Sequence, residues 1–138
     1  MTDKVDAETR SRIMARVRGK DTKPELAVRK ALHAAGFRFR LHRKDLPGNP
    51  DITLPRYRTA VFVHGCFWHG HDCARFRMPS SNVAYWRRKI ERNKERDAAV
   101  LEELQRMGWR AWVVWTCEIE KGVRELIRFL EDIKKDLD

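Results

Sequence analysis

The period of the hydrophobic positions changes several times along the chain, and each change marks an element. Leu26, Val28, Ala31, Leu32 and Ala35 recur near helical spacing. The preceding Thr22-Lys23-Pro24-Glu25 has the form of a capping box with proline in the first turn, and Gly36 closes the helix. Phe37-Arg38-Phe39-Arg40-Leu41 alternates apolar and basic residues, as a half-buried strand does. After the turn at residues 47–50, residues 51–54 and 59–63 read as two strands of a hairpin. The start of one antiparallel strand lies beside the end of its neighbour, so Asp51 is expected close to His64. A long helix is predicted over residues 83–107, where Trp86, Ile90, Asp97, Val100, Leu101 and Leu104 lie near helical spacing and Asn93 interrupts them. Residues 109–115 form a strongly apolar strand, expected in the sheet interior. Val123, Leu126, Ile127, Leu130 and Ile133 are the stripe of a last helix.

One more helical candidate precedes these. Residues 7–18, after Asp6 as N-cap, carry Arg10, Arg12, Arg16 and Arg18 but only Ile13, Met14 and Val17 to bury. A basic arm over residues 1–20 with so little core is expected to order on a polyanion. Core packing is the simpler reading of Met14; an apolar wedge between base pairs is the other. The order α-α-β-β-β-α-β-α gives an α/β fold in one domain over residues 1–138, a small mixed β-sheet flanked by helices.

Charge narrows the class of partner. The 138 residues carry a formal net charge of +10, which points to nucleic acid. The excess is uneven. From residue 118 onward acids and bases nearly balance, whereas Arg87, Arg88, Lys89, Arg92, Lys94 and Arg96 crowd the long helix before Asp97. The N-terminus lacks the apolar core of a signal peptide and no run approaches membrane-spanning length, so the expected setting is cytoplasmic, without membrane contact and with reduced thiols.

The chemistry is concentrated at residues 61–73, V-F-V-H-G-C-F-W-H-G-H-D-C. His64, Cys66, His69, His71 and Cys73 fall within ten consecutive positions. Zn²⁺ prefers thiolate and imidazole, four of them in structural sites. Cys66, His71 and Cys73 can wrap one ion, and Cys117 completes a Cys₃His set if its strand neighbours residues 59–63. The bland alternative is a reduced core beside an incidental histidine-rich loop; five candidate ligands in so short a span argue against it. His64 and His69 are then spare, and a neutral histidine suits general acid–base work. Asp51 offers a hard oxygen ligand for Mg²⁺, as phosphodiester hydrolysis requires. Glu25 is explained as a helix-capping residue.

These residues together resemble the very short patch repair (Vsr) DNA mismatch endonuclease family. The resemblance covers nearly the whole chain. It rests on the stretch from Arg12 to Glu25, on Leu46-Pro47-Gly48-Asn49-Pro50-Asp51-Ile52, on residues 61–73 and on residues 109–117. It implies a restriction-endonuclease-like fold and nicking of one strand of double-stranded DNA beside the thymine of a T:G mismatch, with Mg²⁺. It makes Asp51 the essential metal ligand, with the Val63 backbone carbonyl as the only contact open to that position. It places His64 and His69 in the active site as acid–base groups, with Glu25 hydrogen-bonded to His64. It makes Met14, Phe67 and Trp68 DNA-intercalating wedges, and it assigns structural Zn²⁺ to Cys66, His71, Cys73 and Cys117. Mismatch-repair proteins and a cytosine methyltransferase are partners by the same resemblance, in a bacterial, nucleoid-associated setting. The wider superfamily carries E-x-K on the strand after its aspartate. Phe62 and His64 stand there in this chain, which moves the acid–base burden onto histidine.

Two other functions fit parts of the pattern. A non-catalytic zinc-containing DNA-binding module on the same scaffold would not need Asp51, His64 and His69. A hydrolase using the zinc itself would need an open coordination position, and four protein ligands oppose that. A monomer is expected, because one mismatch has no two-fold axis.

Overall fold

The computed structural model describes residues 22–74 and 76–137. The basic helix expected over residues 7–18, with Met14, lies outside the described residues. Those described form three helices and one four-stranded mixed sheet, as the pattern predicts.

Helix α1 (Lys23–Ala34) starts at Thr22, whose side chain accepts the Glu25 backbone N–H at 3.4 Å. It ends with Gly36 at φ +86°. The Gly36 N–H bonds the His33 carbonyl at 3.0 Å and the Phe37 N–H bonds the Leu32 carbonyl at 3.0 Å. This is a Schellman motif, in which the residue after the glycine folds back onto the helix. Phe37 is thereby drawn into the core, edge-on to Tyr57. That corrects the strand expected over residues 37–41: only β1 (Arg40–Leu41) pairs, and both its residues are exposed.

Strand β2 (Ile52–Leu54) leads through a single 3₁₀ turn (Pro55–Tyr57) into β3 (Thr59–His64). Helix α2 (Val83–Arg106) follows the histidine-rich loop. It too ends in a Schellman motif, with Gly108 at φ +83° and the Trp109 N–H on the Leu104 carbonyl at 2.9 Å. Strand β4 therefore spans Arg110–Trp115 and excludes Trp109. Helix α3 (Ile119–Leu137) closes the chain. Strands β1, β2 and β3 pair antiparallel, and β4 joins β3 in parallel.

The sheet order is β1-β2-β3-β4, so β4 is an edge strand among the described residues rather than an interior one. Its apolar run has another cause: helices cover both its faces. Side chains alternate across the sheet. Val61 and Val114 face α1 and α3, where they join Val28, Leu32, Leu126 and Leu130. Ala60, Phe62, Ala111 and Val113 face α2, where they meet Val100, Leu101 and Leu104. His64 and Trp115 pair in register, and the same alternation turns both toward α2. The C-terminal ends of β3 and β4 thus deliver their last side chains to one place, between the histidine-rich loop and α2.

Candidate functional site

The loop after β3 is fixed by its own backbone. The His71 N–H returns to the Cys66 carbonyl at 2.9 Å and the His69 N–H to Gly65 at 3.2 Å. The Thr116 N–H extends the sheet to the His64 carbonyl at 3.1 Å, which brings Cys117 across to the loop. As a result Cys66, His71, Cys73 and Cys117 offer one ligand atom each, all within 4.8 Å of one another. The Cys117 sulfur lies 3.5 Å from His71 Nδ1, and Thr116 Oγ1 lies 3.4 Å from the Cys66 sulfur. The His71 ring stacks on Trp115, with centroids 4.0 Å apart. Burial and the two neighbouring thiols push Cys117 up to about 12. Three thiols so close need a cation to ionise together, so this donor set fits zinc.

A cleft of about 740 Å³ opens beside this loop, lined by Lys23, Glu25, Asp51, Val63, His64, Trp68, His69, Arg96 and Asp97 among others. The sequence-predicted residues Glu25, Asp51, His64 and His69 therefore share one cavity. Asp51 sits at the start of β2, and its Oδ2 accepts the Val63 backbone N–H at 2.7 Å. Burial raises its pKa from 3.8 to about 6; the Val63 bond opposes this and the Glu25 charge adds to it. Asp51, Glu25 and His42 each offer a ligand atom within 4.8 Å of the others. One buried and one half-buried carboxylate beside an imidazole are a donor set for a divalent ion.

The bond expected between Glu25 and His64 is not formed. Glu25, only 2% exposed, directs its carboxylate to Arg29 and toward His42, with 3.3 Å between Oε2 and His42 Nε2. The His64 Nδ1 is buried without a hydrogen-bond partner among the described residues. The His64 ring stacks on His69 instead, centroids 3.7 Å apart and planes within 3°. Burial holds the His64 pKa down at about 4, the neighbouring His69 charge lowers it further, and Asp97 pulls the other way. His64 is therefore a neutral imidazole at neutral pH.

Three contributing residues escaped the sequence reading. Asp97 Oδ2 accepts from His69 Nδ1 at 2.5 Å, which fixes the tautomer and leaves His69 Nε2 as the lone-pair nitrogen. Asn93 donates from Nδ2 to the Trp68 carbonyl at 2.8 Å. His42 faces Asp51 across the sheet edge. The available signal was polarity on an apolar stripe: Asn93 and Asp97 interrupt the buried face of α2 because they reach across to the loop.

Phe67 and Trp68 lie edge to face at 5.2 Å, and Trp86 of α2 contacts both rings, at 5.5 and 6.0 Å. Both are half-buried. Lys89 lies 5.6 Å from the Trp68 ring centre. Along the same helix Arg87, Arg88, Arg92, Lys94 and Arg96 are exposed. The cleft and the aromatic pair thus border a helix whose exposed side carries more bases than acids, as a polyanion site requires. No helix among the described residues is long and apolar enough to cross a membrane.

Comparison with known proteins agrees with this geometry. The family described as DNA mismatch endonuclease Vsr matches residues 2–75. A type II nicking enzyme of Xanthomonas oryzae, V.XorIIP, is 54% identical over 119 residues, covering 86% of this chain and 88% of its own. V.NmeAIP of Neisseria meningitidis, also a type II nicking enzyme, is 43% identical over 97% of this chain and 98% of its own. The DNA mismatch endonuclease Vsr of Escherichia coli is 40% identical over 86% of this chain and 76% of its own. An unusual metal-ligand loop, an acidic and histidine-lined cleft on a basic face, and similarity along most of the sequence converge on one conclusion: this chain belongs to the Vsr family and is a DNA endonuclease.

Proposed function

We propose that the protein nicks one strand of duplex DNA beside the thymine of a T:G mismatch, by Mg²⁺-dependent hydrolysis on a restriction-endonuclease-like fold. It starts very short patch repair as a monomer in the bacterial cytoplasm. The observation that carries the reading is the single cleft that holds Asp51, Glu25, His64 and His69 next to the Phe67–Trp68 pair. Chemistry and a device for parting bases stand side by side.

Asp51 and the Val63 carbonyl would hold the catalytic ion, with Glu25 beside them. When bound, the ion polarises the scissile phosphate and offsets charge developing on it. His69, with Nδ1–H on the Asp97 carboxylate, keeps Nε2 free to take a proton from the attacking water. His64, neutral and stacked against His69, keeps a second proton carrier in contact with it. Zinc at Cys66, His71, Cys73 and Cys117 pins the loop that presents both rings, and takes no part in the reaction. Arg87, Arg88, Arg92, Lys94 and Arg96 bind phosphates without reading sequence. Phe67 and Trp68, with Met14, wedge into the base stack. A T:G wobble stacks less well than a matched pair, so opening it costs less, which favours the mismatch.

The test is a duplex labelled on each strand in turn, with one T:G pair or its T:A control, incubated with Mg²⁺. The reading predicts a single cut, in the thymine strand of the mismatched duplex only. Equal cutting of the T:A control would refute the mismatch specificity, and cutting of both strands would refute the nicking mode.

A further inference from the structure

The proposed mechanism leaves unused one residue that lies beside the cleft's Glu25 and Asp51. His42 directly follows β1, and its backbone N–H donates to the Asp51 carbonyl at 3.2 Å, continuing the ladder that pairs Leu41 with Ile52. The backbone therefore fixes His42 beside Asp51. Its φ is +51°, in the left-handed region that residues with a β-carbon rarely enter. The ring is largely buried and touches charged groups. Nε2 lies 3.0 Å from Arg29 Nη2 and 3.3 Å from Glu25 Oε2. An arginine only donates and a carboxylate only accepts, so Nε2 sits between a donor and an acceptor. A left-handed backbone thus sets the His42 imidazole beside two carboxylates, and the three residues each offer a ligand atom within 4.8 Å of the others.

We infer that His42 is a nitrogen ligand of the divalent ion in the cleft, with Glu25 and Asp51, and that this mixed donor set makes the site select Mn²⁺ over Mg²⁺. The inference rests on the reading of Asp51 as the metal-holding residue. Mg²⁺ demands oxygen donors and gives up water reluctantly, whereas a first-row transition ion gains from imidazole. An ion at this place takes over the His42 nitrogen from Arg29, and Arg29 keeps its contact to Glu25.

The experiment uses the full chain with its zinc loaded. Mn²⁺ binding is followed by the electron paramagnetic resonance signal of the free aqua ion, and Mg²⁺ binding by competition. The wild type is expected to bind Mn²⁺ at least about tenfold more tightly than Mg²⁺. His42→Gln should weaken Mn²⁺ about tenfold and Mg²⁺ less than about threefold. Equal weakening of both ions, or none, overturns the inference. A second readout needs no variant: electron spin echo modulation of wild-type protein with Mn²⁺ should show coupling to an imidazole ¹⁴N, and its absence overturns the inference even if His42→Gln does not fold. Asp51→Asn separates the two claims. If it abolishes binding of both ions while His42→Gln changes neither, only the His42 role fails. If Asp51→Asn leaves Mn²⁺ binding intact, the metal-holding role of Asp51 fails as well.

Discussion

Replacing Asp51 by asparagine should make the Mg²⁺-free protein more stable. The carboxylate is held in a half-desolvated place beside Glu25, and its pKa rises from 3.8 to about 6 on folding. At about 1.4 kcal/mol per pH unit, that difference corresponds to about 3 kcal/mol of destabilisation when the group is ionised. The folded state binds the proton more tightly than the unfolded state, so stability from this group falls as pH rises between about 4 and 6. Above about 6 the full cost is present; below about 4 it is gone. Asparagine keeps an oxygen for the Val63 N–H and carries no charge, so it removes the cost without losing that bond. Thermal melts of both proteins, zinc-loaded and without Mg²⁺, should show the variant melting about 10 °C higher at pH 7.5. The gap should halve near pH 5 and close toward pH 4. Adding Mg²⁺ at pH 7.5 should raise the wild type and leave the variant where it was. A variant less stable than wild type at pH 7.5, or a gap independent of pH, would refute the placement of Asp51 as a strained ion-holding group.

Other residues give further expectations. Asp97→Asn should lower the single-turnover nicking rate by about 10²-fold while DNA affinity stays within about threefold, because it disturbs the His69 tautomer and not the basic face. Histidine NMR should show His64 neutral from pH 8 down to pH 5, since its pKa is held at about 4 and it protonates only below that; a proton uptake by His64 near 6.5 would contradict the stacked, buried ring. Elemental analysis should find one zinc per chain, and Cys117→Ser should lower both zinc content and melting temperature, since structural zinc supplies folding free energy. Leu126→Ala should cost about 2–5 kcal/mol in denaturant unfolding, because Leu126 is fully buried between α3 and the sheet.

Much of this arrangement was legible along the chain. Helical spacing marked all three described helices, and the hairpin of β2 and β3 placed Asp51 near the end of β3. The proximity of Cys117 to the loop followed from guessing that two apolar strands are neighbours, and the β3–β4 pairing makes them so. Two strand starts were misplaced for one physical reason. Phe37 and Trp109 each follow a helix-ending glycine, and the Schellman motif claims that residue for the helix before a strand can use it. The interior position expected for β4 confused burial by helices on both faces with burial between strands. The partners of the site residues were hidden differently. Asp97 meets His69, and Glu25 meets His42, between elements far apart along the chain, contacts that no local spacing encodes. Glu25 illustrates the point. Thr22 caps its backbone N–H as the capping box predicts, but its own side chain, expected to cap the helix, is turned inward, where Arg29 and His42 hold it.

On the proposed reading, the cleft around Asp51 performs the cut while the surrounding basic and aromatic surface holds the DNA. The most direct measurement sets wild type beside Asp51→Asn on one T:G duplex, with binding and single-turnover nicking followed in the same samples with Mg²⁺. Affinity is expected to stay within about threefold and nicking to fall by at least about 10³-fold. Nicking retained by the variant would contradict it.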